Sequence, residues 1–180
     1  AVLGTVLSET YHGKSLSKVG LLNIGEEHGK GRELEKRTWE LLSKLGEIDE
    51  HLEFIGNGEG RDVAGGKADV IVTDGYAGNL VLKTAEGALR LTAKAAVAAM
   101  AELPEEQQLA AAPILMALRD RFDPDNTGGA HLLGTKGVVV IGHGSSSPKA
   151  ILGAIAIAAE GAERELVTRV TERIEADSIA

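Results

Sequence analysis

Two rhythms alternate along this chain. Short apolar runs of strand type each lead into a glycine-rich polar turn, and stretches with helical spacing follow. The first run, 19–24, leads into the turn 25–31. Residues 32–45 read as a helix, with Leu34, Thr38, Leu41, Leu42 and Leu45 at helical spacing and Gly46 as the stop. A second strand is expected at 52–55, before Gly56-Asn57-Gly58-Glu59-Gly60, and a third at 68–73, before Asp74-Gly75. Residues 80–102 are alanine-rich and helical until Leu103-Pro104 interrupts them. Pro104, Glu105 and Glu106 suit the first turn of another helix, which runs toward Arg121 with Pro113 as a kink or restart. Residues 123–129 read as a loop. The fourth and most apolar strand is 138–141. Ser147-Pro148 then opens a helix predicted to run unbroken to about Glu175, with Ile151, Ile155, Ala158, Ala162, Leu166, Val170 and Ile174 near one stripe.

This order predicts an α/β fold with a largely parallel sheet flanked by helices. Strand-turn-helix units fall at 18–82 and 137–176, and a protruding helical hairpin at about 80–121. The 180 residues suffice for a sizeable core, and 43% of them are hydrophobic but only 3% aromatic. The core is therefore aliphatic, as in buried parallel strands. A net charge of −8 argues against nucleic acid as a main partner, since backbone binding needs clustered cations. With no cysteine, disulfides, thiolate metal sites and a cysteine nucleophile are excluded. No apolar run approaches the ~20 residues of a membrane span. The opening Ala1-Val2-Leu3-Gly4 lacks a methionine, and four strands are few for a doubly wound sheet, so the chain is expected to be a piece of a longer one.

All four strand ends combine glycine with polar side chains: Asn23 to Glu26, Gly56 to Gly58, Thr73 to Gly75 and Gly142 to Ser145. In an open parallel sheet the carboxyl ends share one edge, where ligands bind. Glycine lets the backbone approach a ligand, and N–H groups at such turns favour anions. A polar, glycine-lined cleft is therefore expected where the four ends meet. The common motifs do not fit. Residues 25–31 lack the spacing and the Ser/Thr of a P-loop, 56–60 miss the dinucleotide fingerprint by one residue, and there is no Gly-x-Ser-x-Gly or HExxH. Nothing calls for a metal or an organic cofactor.

Four blocks, in this order and spacing, resemble the signatures of PlsX-type phosphate acyltransferases: VGLLNIGEEHGKG at 19–31, FIGNGEGRD at 54–62, ADVIVTDGYAGNLVLK at 68–83 and GVVVIGHGSS at 137–146. The resemblance runs over the whole chain but lacks the family's amino-terminal half, with its Asp-Ala-Met-Gly-Gly-Asp-like block. Asn126-Thr127 also stand where the family often has an aromatic residue. The resemblance implies a fold similar to that of the isocitrate and isopropylmalate dehydrogenases. It implies a cytoplasmic homodimer, peripheral at the inner face of the membrane, that moves a fatty acyl group from acyl carrier protein to inorganic phosphate for phospholipid synthesis. Two alternatives stand beside it: a phosphotransacetylase-like enzyme using acyl-coenzyme A, and a non-catalytic interaction module.

On the implied reaction, Lys30 is expected near the phosphate or the developing oxyanion, and Asp74 as the group that orients or takes up a proton. Asn79 is expected to donate to a carbonyl or phosphate oxygen, and His143 to complete the anion pocket and protonate the departing sulfur. Asn23, Gly25, Glu26, Asn57, Gly75, Gly142, Gly144 and Ser145 are expected to line the phosphate and substrate site. The apolar stretch 109–118 is expected at a helical dimer interface or at a bilayer surface. Lys83, Arg90, Lys94, Arg119 and Arg121 are candidates for docking the acidic carrier protein, if they converge.

Overall fold

A computed structural model describes residues 1–144 and 146–179, apart from the side chains of Arg119, Pro124 and residues 177–179. In chain order the elements are α1 (Val2–His12), β1 (Ser17–Leu22), α2 (Glu33–Ile48), β2 (Leu52–Gly58), β3 (Val70–Val72), α3 (Gly75–Ala101), α4 (Glu105–Arg121), β4 (Gly129–His131), β5 (Val140–Gly142), α5 (Pro148–Glu163) and α6 (Leu166–Ile179). They form two compact units. One holds residues 1–74, 133–139 and those from 160 onward; the other holds 75–132 and 140–159.

The first unit is built on a parallel three-stranded sheet in the order β2-β1-β3. α1 and α2 lie over one face of the sheet, and Ser17, Val19 and Leu21 of central β1, which share that face, are buried. α2 packs on β2 and β1 through Leu42, and α1 packs on β1 and β3. Each such fully buried aliphatic side chain contributes about 1.5–3 kcal/mol of transfer free energy. Because all three strands run the same way, their carboxyl ends at Leu22, Gly58 and Val72 lie on one edge.

Sequence spacing left residues 1–18 without an element, yet α1 carries Leu3, Val6, Leu7 and Tyr11 toward one core. These positions follow the helical rule, and Gly13 ends the helix in the left-handed region at φ 66°. The core they form is completed by Leu166 and Val170 of α6 and by Leu133. That packing explains the break in the predicted helix 148–175. Arg164 donates to the Thr10 carbonyl at 2.6 Å, pairs with Glu160 and lies over the Tyr11 ring. Glu165 then turns through φ 54°, and α6 restarts with Leu166 and Val170 against Val6. Gly46 does not stop α2, which continues to Ile48. A Cβ at Gly46 would stand 3.2 Å from that of Phe54, so the glycine lets helix and strand approach closely.

The second unit contains α3 and α4, joined by a short turn and packed on each other, with Pro113 inside an unbroken α4. Here the predicted fourth strand is corrected. β5 is not a member of the parallel sheet but pairs antiparallel with β4, which begins at the last residue of the predicted loop. The physical reason is the close fit at Gly128-Gly129: a Cβ on Gly129 would lie 2.7 Å from the Ile141 carbonyl oxygen, and one on Gly128 would strike the α5 backbone. The chain therefore returns alongside 140–142 and satisfies that strand's backbone locally.

Candidate active site

The carboxyl edge of the three-stranded sheet carries a single braced turn. Asn23, just after β1, has both amide hydrogens engaged: its Nδ2 donates to the Lys30 carbonyl at 3.0 Å and to Asn57 Oδ1 at 3.1 Å. Its Oδ1 accepts the Ile24 N–H at 2.8 Å. Asn57, almost wholly buried near the end of β2, donates to the Glu27 carbonyl at 2.9 Å. The two amides thus tie residues 24–31 to the ends of two adjacent strands. Their hydrogen-bonding capacity is committed to that turn, which makes them supports for whatever it presents. His28 pins the same turn from outside, edge-on to Trp39 at 4.1 Å, and Trp39 in turn meets Phe54.

The turn presents Lys30. Its ammonium group is half exposed and 3.9 Å from the Glu27 carboxylate, too long for a hydrogen bond, so the cation is available to an anion. Gly25 is buried beneath the Lys30 side chain. Glu26 pairs with Lys67 at 3.1 Å and with Arg61 at 3.5 Å, and Arg61 also reaches Glu59 at 2.7 Å. A carboxylate so placed orients cations and does not itself attract phosphate.

Asp74, just beyond β3, accepts a hydrogen bond from the Arg32 guanidinium at 2.6 Å. Arg32 also pairs with Glu35, whose carboxylate accepts the Arg32 backbone N–H at 2.7 Å at the head of α2. Hydrogen bonds first from the Arg32 side chain hold the Glu35 carboxyl below the usual range, and both carboxylates hold the guanidinium more firmly protonated. The first unit therefore gathers Asn23, Gly25, Glu26, Lys30, Asn57 and Asp74 on one sheet edge. It adds Arg32 and Lys67, which sequence reasoning missed. An arginine at an N-cap position, where Ser, Thr, Asp or Asn is usual, was the readable signal for the first.

The remaining candidates lie in the second unit, apart from Ser145, which is outside the described residues. Gly75 opens α3, and Asn79 is exposed in its second turn. Gly142 pairs with Gly129 across β4–β5, and Gly144 is exposed beyond it. The His143 carbonyl accepts the Ser146 N–H at 3.0 Å and hydroxyl at 2.7 Å. The Glu86 carboxyl is held below its usual range, first by the Lys83 hydrogen bond, and His143 and Arg90 contribute to the same effect. Among the described residues no group of three or more His, Asp or Glu is arranged to hold a metal ion.

An α/β protein of this kind gathers its candidate ligand groups at the carboxyl edge of a parallel sheet. Comparison with known proteins narrows the class. Residues 1–169 match the family described as fatty acid synthesis protein. The phosphate acyltransferase of Acaryochloris marina is 42% identical over 179 residues, covering 94% of this chain and 49% of that protein. The phosphate acyltransferase of Acidobacterium capsulatum is 40% identical over 181 residues, covering 97% and 51%. That of Bacillus cereus strain G9842 is 39% identical over 188 residues, covering 99% and 53%. The chain belongs to this fatty acid synthesis protein family, the PlsX family of the sequence resemblance. It spans about half the length of the relatives it matches.

Proposed function

We propose that this chain is the carboxyl-terminal part of an acyltransferase that moves a fatty acyl group from acyl carrier protein to inorganic phosphate, giving acyl phosphate for phospholipid synthesis. The observation that carries the reading is Lys30, presented by a turn that Asn23 and Asn57 brace at the carboxyl edge of the sheet. The relatives' shared name, phosphate acyltransferase, supports it.

The chemistry needs no enzyme nucleophile. A phosphate oxygen attacks the thioester carbonyl carbon; the new C–O bond forms as the C–S bond breaks, and the thiolate leaves with the bonding pair. Lys30 neutralises the bound phosphate or the oxyanion, an effect worth about 2.7–4 kcal/mol for one well-placed donor. Asp74, ion-paired with Arg32, takes up the proton of the attacking phosphate. Holding phosphate and thioester together supplies a further ~7–11 kcal/mol. The same reading makes the protein a cytoplasmic homodimer with peripheral membrane contact. Its support is the apolar surface of α4, where Leu109, Ile114 and Met116 are exposed; no helix among the described residues is long and apolar enough to cross a membrane.

A second reading, a non-catalytic module that binds the carrier protein or a second copy, is favoured by the exposed apolar residues Leu109, Ile114 and Met116 of α4. One assay separates the two. Long-chain acyl carrier protein and phosphate are mixed with the chain, and thioester loss and acyl phosphate formation are followed with and without phosphate. Phosphate-dependent turnover, reduced at least ~100-fold by Lys30→Ala, is the expected result. Full turnover in Lys30→Ala would remove that residue from the scheme. Turnover with acyl-coenzyme A alone would move the reading to a phosphotransacetylase-like enzyme, and no turnover with either donor, from this chain or from a full-length relative, would leave the binding module.

A further inference from the structure

Arg32 stands at the N-cap of α2, where an arginine side chain has no acceptor with which to cap the helix. The Glu35 carboxylate reaches back instead and accepts the Arg32 backbone N–H at 2.7 Å. The same carboxylate receives the guanidinium from Nε, at 3.1 Å to each oxygen, and from Nη2. Two neighbouring nitrogens of the fork thus grip one carboxylate, a geometry that fixes direction as well as distance. Nη2 also donates to Asp74 Oδ2 at 2.6 Å, 42 residues further along the chain. The Arg32 side chain is 64% exposed, whereas those of Glu35 and Asp74 are only 12% and 23% exposed. The bridge joins two loops. Arg32 ends the loop after β1, two residues beyond Lys30, and Asp74 lies between β3 and α3. β1 and β3 are parallel neighbours, so both loops leave the sheet at its carboxyl edge.

We propose that Arg32 is a positioning residue of the sheet-edge site: its guanidinium, set in place by Glu35, holds the Asp74 carboxylate in a fixed relation to the Lys30 turn. Its effect on turnover rests on the acyl-transfer reading above, in which Asp74 takes up the proton. As an anion ligand Arg32 is poorly suited, because two carboxylates already occupy Nε and Nη2 and their charges repel phosphate. As a stabilising ion pair it stands at an exposed site, where such pairs contribute little. A link between adjacent strand ends, by contrast, acts on geometry, and displacing a reacting group by about 1 Å can cost ~100-fold in rate. Lysine would supply the charge but not the link, since an ammonium lacks the planar fork that serves two carboxylates at once.

The test uses the full chain as Arg32→Met, Arg32→Lys, Asp74→Asn and the double variant Arg32→Met with Asp74→Asn. Lys36→Met is the control, since it removes another cation from the first turn of α2, one that pairs with Glu33 on the same helix. Placement is read first, by a measurement that needs no turnover. Carbon-detected NMR at neutral pH follows the Asp74 carboxyl carbon, which is expected to shift in Arg32→Met and to stay in Lys36→Met. An Asp74 signal unmoved by Arg32→Met overturns the proposal. Turnover is then read in the phosphate and acyl carrier assay. Arg32→Met is expected to lower kcat about 10- to 100-fold, with KM for phosphate within about twofold of the parent. Arg32→Lys is expected to recover only a small part of that loss. The double variant is expected to be no slower than Asp74→Asn alone, because Arg32 acts through Asp74. A raised KM with kcat intact would make Arg32 a phosphate ligand, full recovery by lysine would reduce its part to charge, and losses that multiply in the double variant would separate it from Asp74. Each of these results overturns the proposal, as does an Arg32→Met protein with parental kcat and KM. The two ideas fail separately. A parent without phosphate-dependent turnover sinks acyl transfer, and the Asp74 signal then decides the placement alone. Full turnover in Asp74→Asn, from a parent that does turn over, removes Asp74 from the reaction and the role of Arg32 with it.

Discussion

Two glycines in the Lys30 turn share nearly the same positive φ and have different surroundings, which makes them a controlled experiment. Gly29 and Gly31 sit at φ 89° and 88°, where an L-residue is strained. Alanine at either position costs about 1–2 kcal/mol for the left-handed backbone. A Cβ at Gly29 meets nothing within 4 Å, so the cost ends there. A Cβ at Gly31 would lie 2.6 Å from Asn23 Oδ1 and 2.8 Å from the Glu35 Cβ. Asn23 must move, and its bonds to the Lys30 carbonyl and to Asn57 go with it. Leaving one buried polar group unsatisfied adds about 1–3 kcal/mol. Gly31→Ala is therefore expected to destabilise the protein by about 2–5 kcal/mol and Gly29→Ala by about 1–2 kcal/mol. Urea unfolding followed by Trp39 fluorescence reads the difference, because Trp39 contacts the turn through His28. With a slope near 2 kcal/mol/M, the two midpoints separate by about 0.5–1.5 M. Coincident midpoints would refute the claim that Asn23 is the brace of this turn. In the turnover assay Gly31→Ala is expected to lose more activity than Gly29→Ala.

The remaining predictions concern charge. The Asp69 carboxyl is held below its usual range, first by the hydrogen bond from Lys14 and then by the Lys18 N–H. A carboxyl lowered on folding contributes stability that is present above its unfolded pKa and lost as pH falls through the folded one. Asp69→Asn should thus lower the unfolding midpoint near neutral pH, and the gap to the parent should close below about pH 4; a gap independent of pH would show that the ion pair is not its source. Arg32→Met should let the Glu35 carboxyl return toward its ordinary range, since the Arg32 side chain is the first cause of its lowering. Carbon-detected carboxyl titration by NMR measures this, and an unmoved Glu35 would contradict the assignment.

Much of this protein was legible in the order of its residues, because local rules decide local structure. Apolar runs ending in glycine and polar residues gave β1, β2 and β3, and helical spacing gave α2, α3 and α4 to within a few residues. The same rules would have given α1 from Leu3, Val6, Leu7, Tyr11 and Gly13. Lys30, Asn23, Asn57 and Asp74 stood out at strand ends, where a parallel sheet must present them. What local pattern could not decide was which strands share a sheet, because pairing depends on contacts between residues far apart in the chain. Val140–Gly142 looks like a parallel strand, and only the close approach of Gly128-Gly129 makes it an antiparallel partner of Gly129–His131. The break at Glu165 likewise answers to Thr10 and Tyr11, some 150 residues away. Tertiary structure also settled which polar groups are available. Asn23 and Asn57 are committed to each other and to the turn, Asp74 is joined to Arg32, and the Lys30 ammonium is left to face solvent. Residue type named the chemistry, and three-dimensional hydrogen bonding decided which groups remain free to perform it.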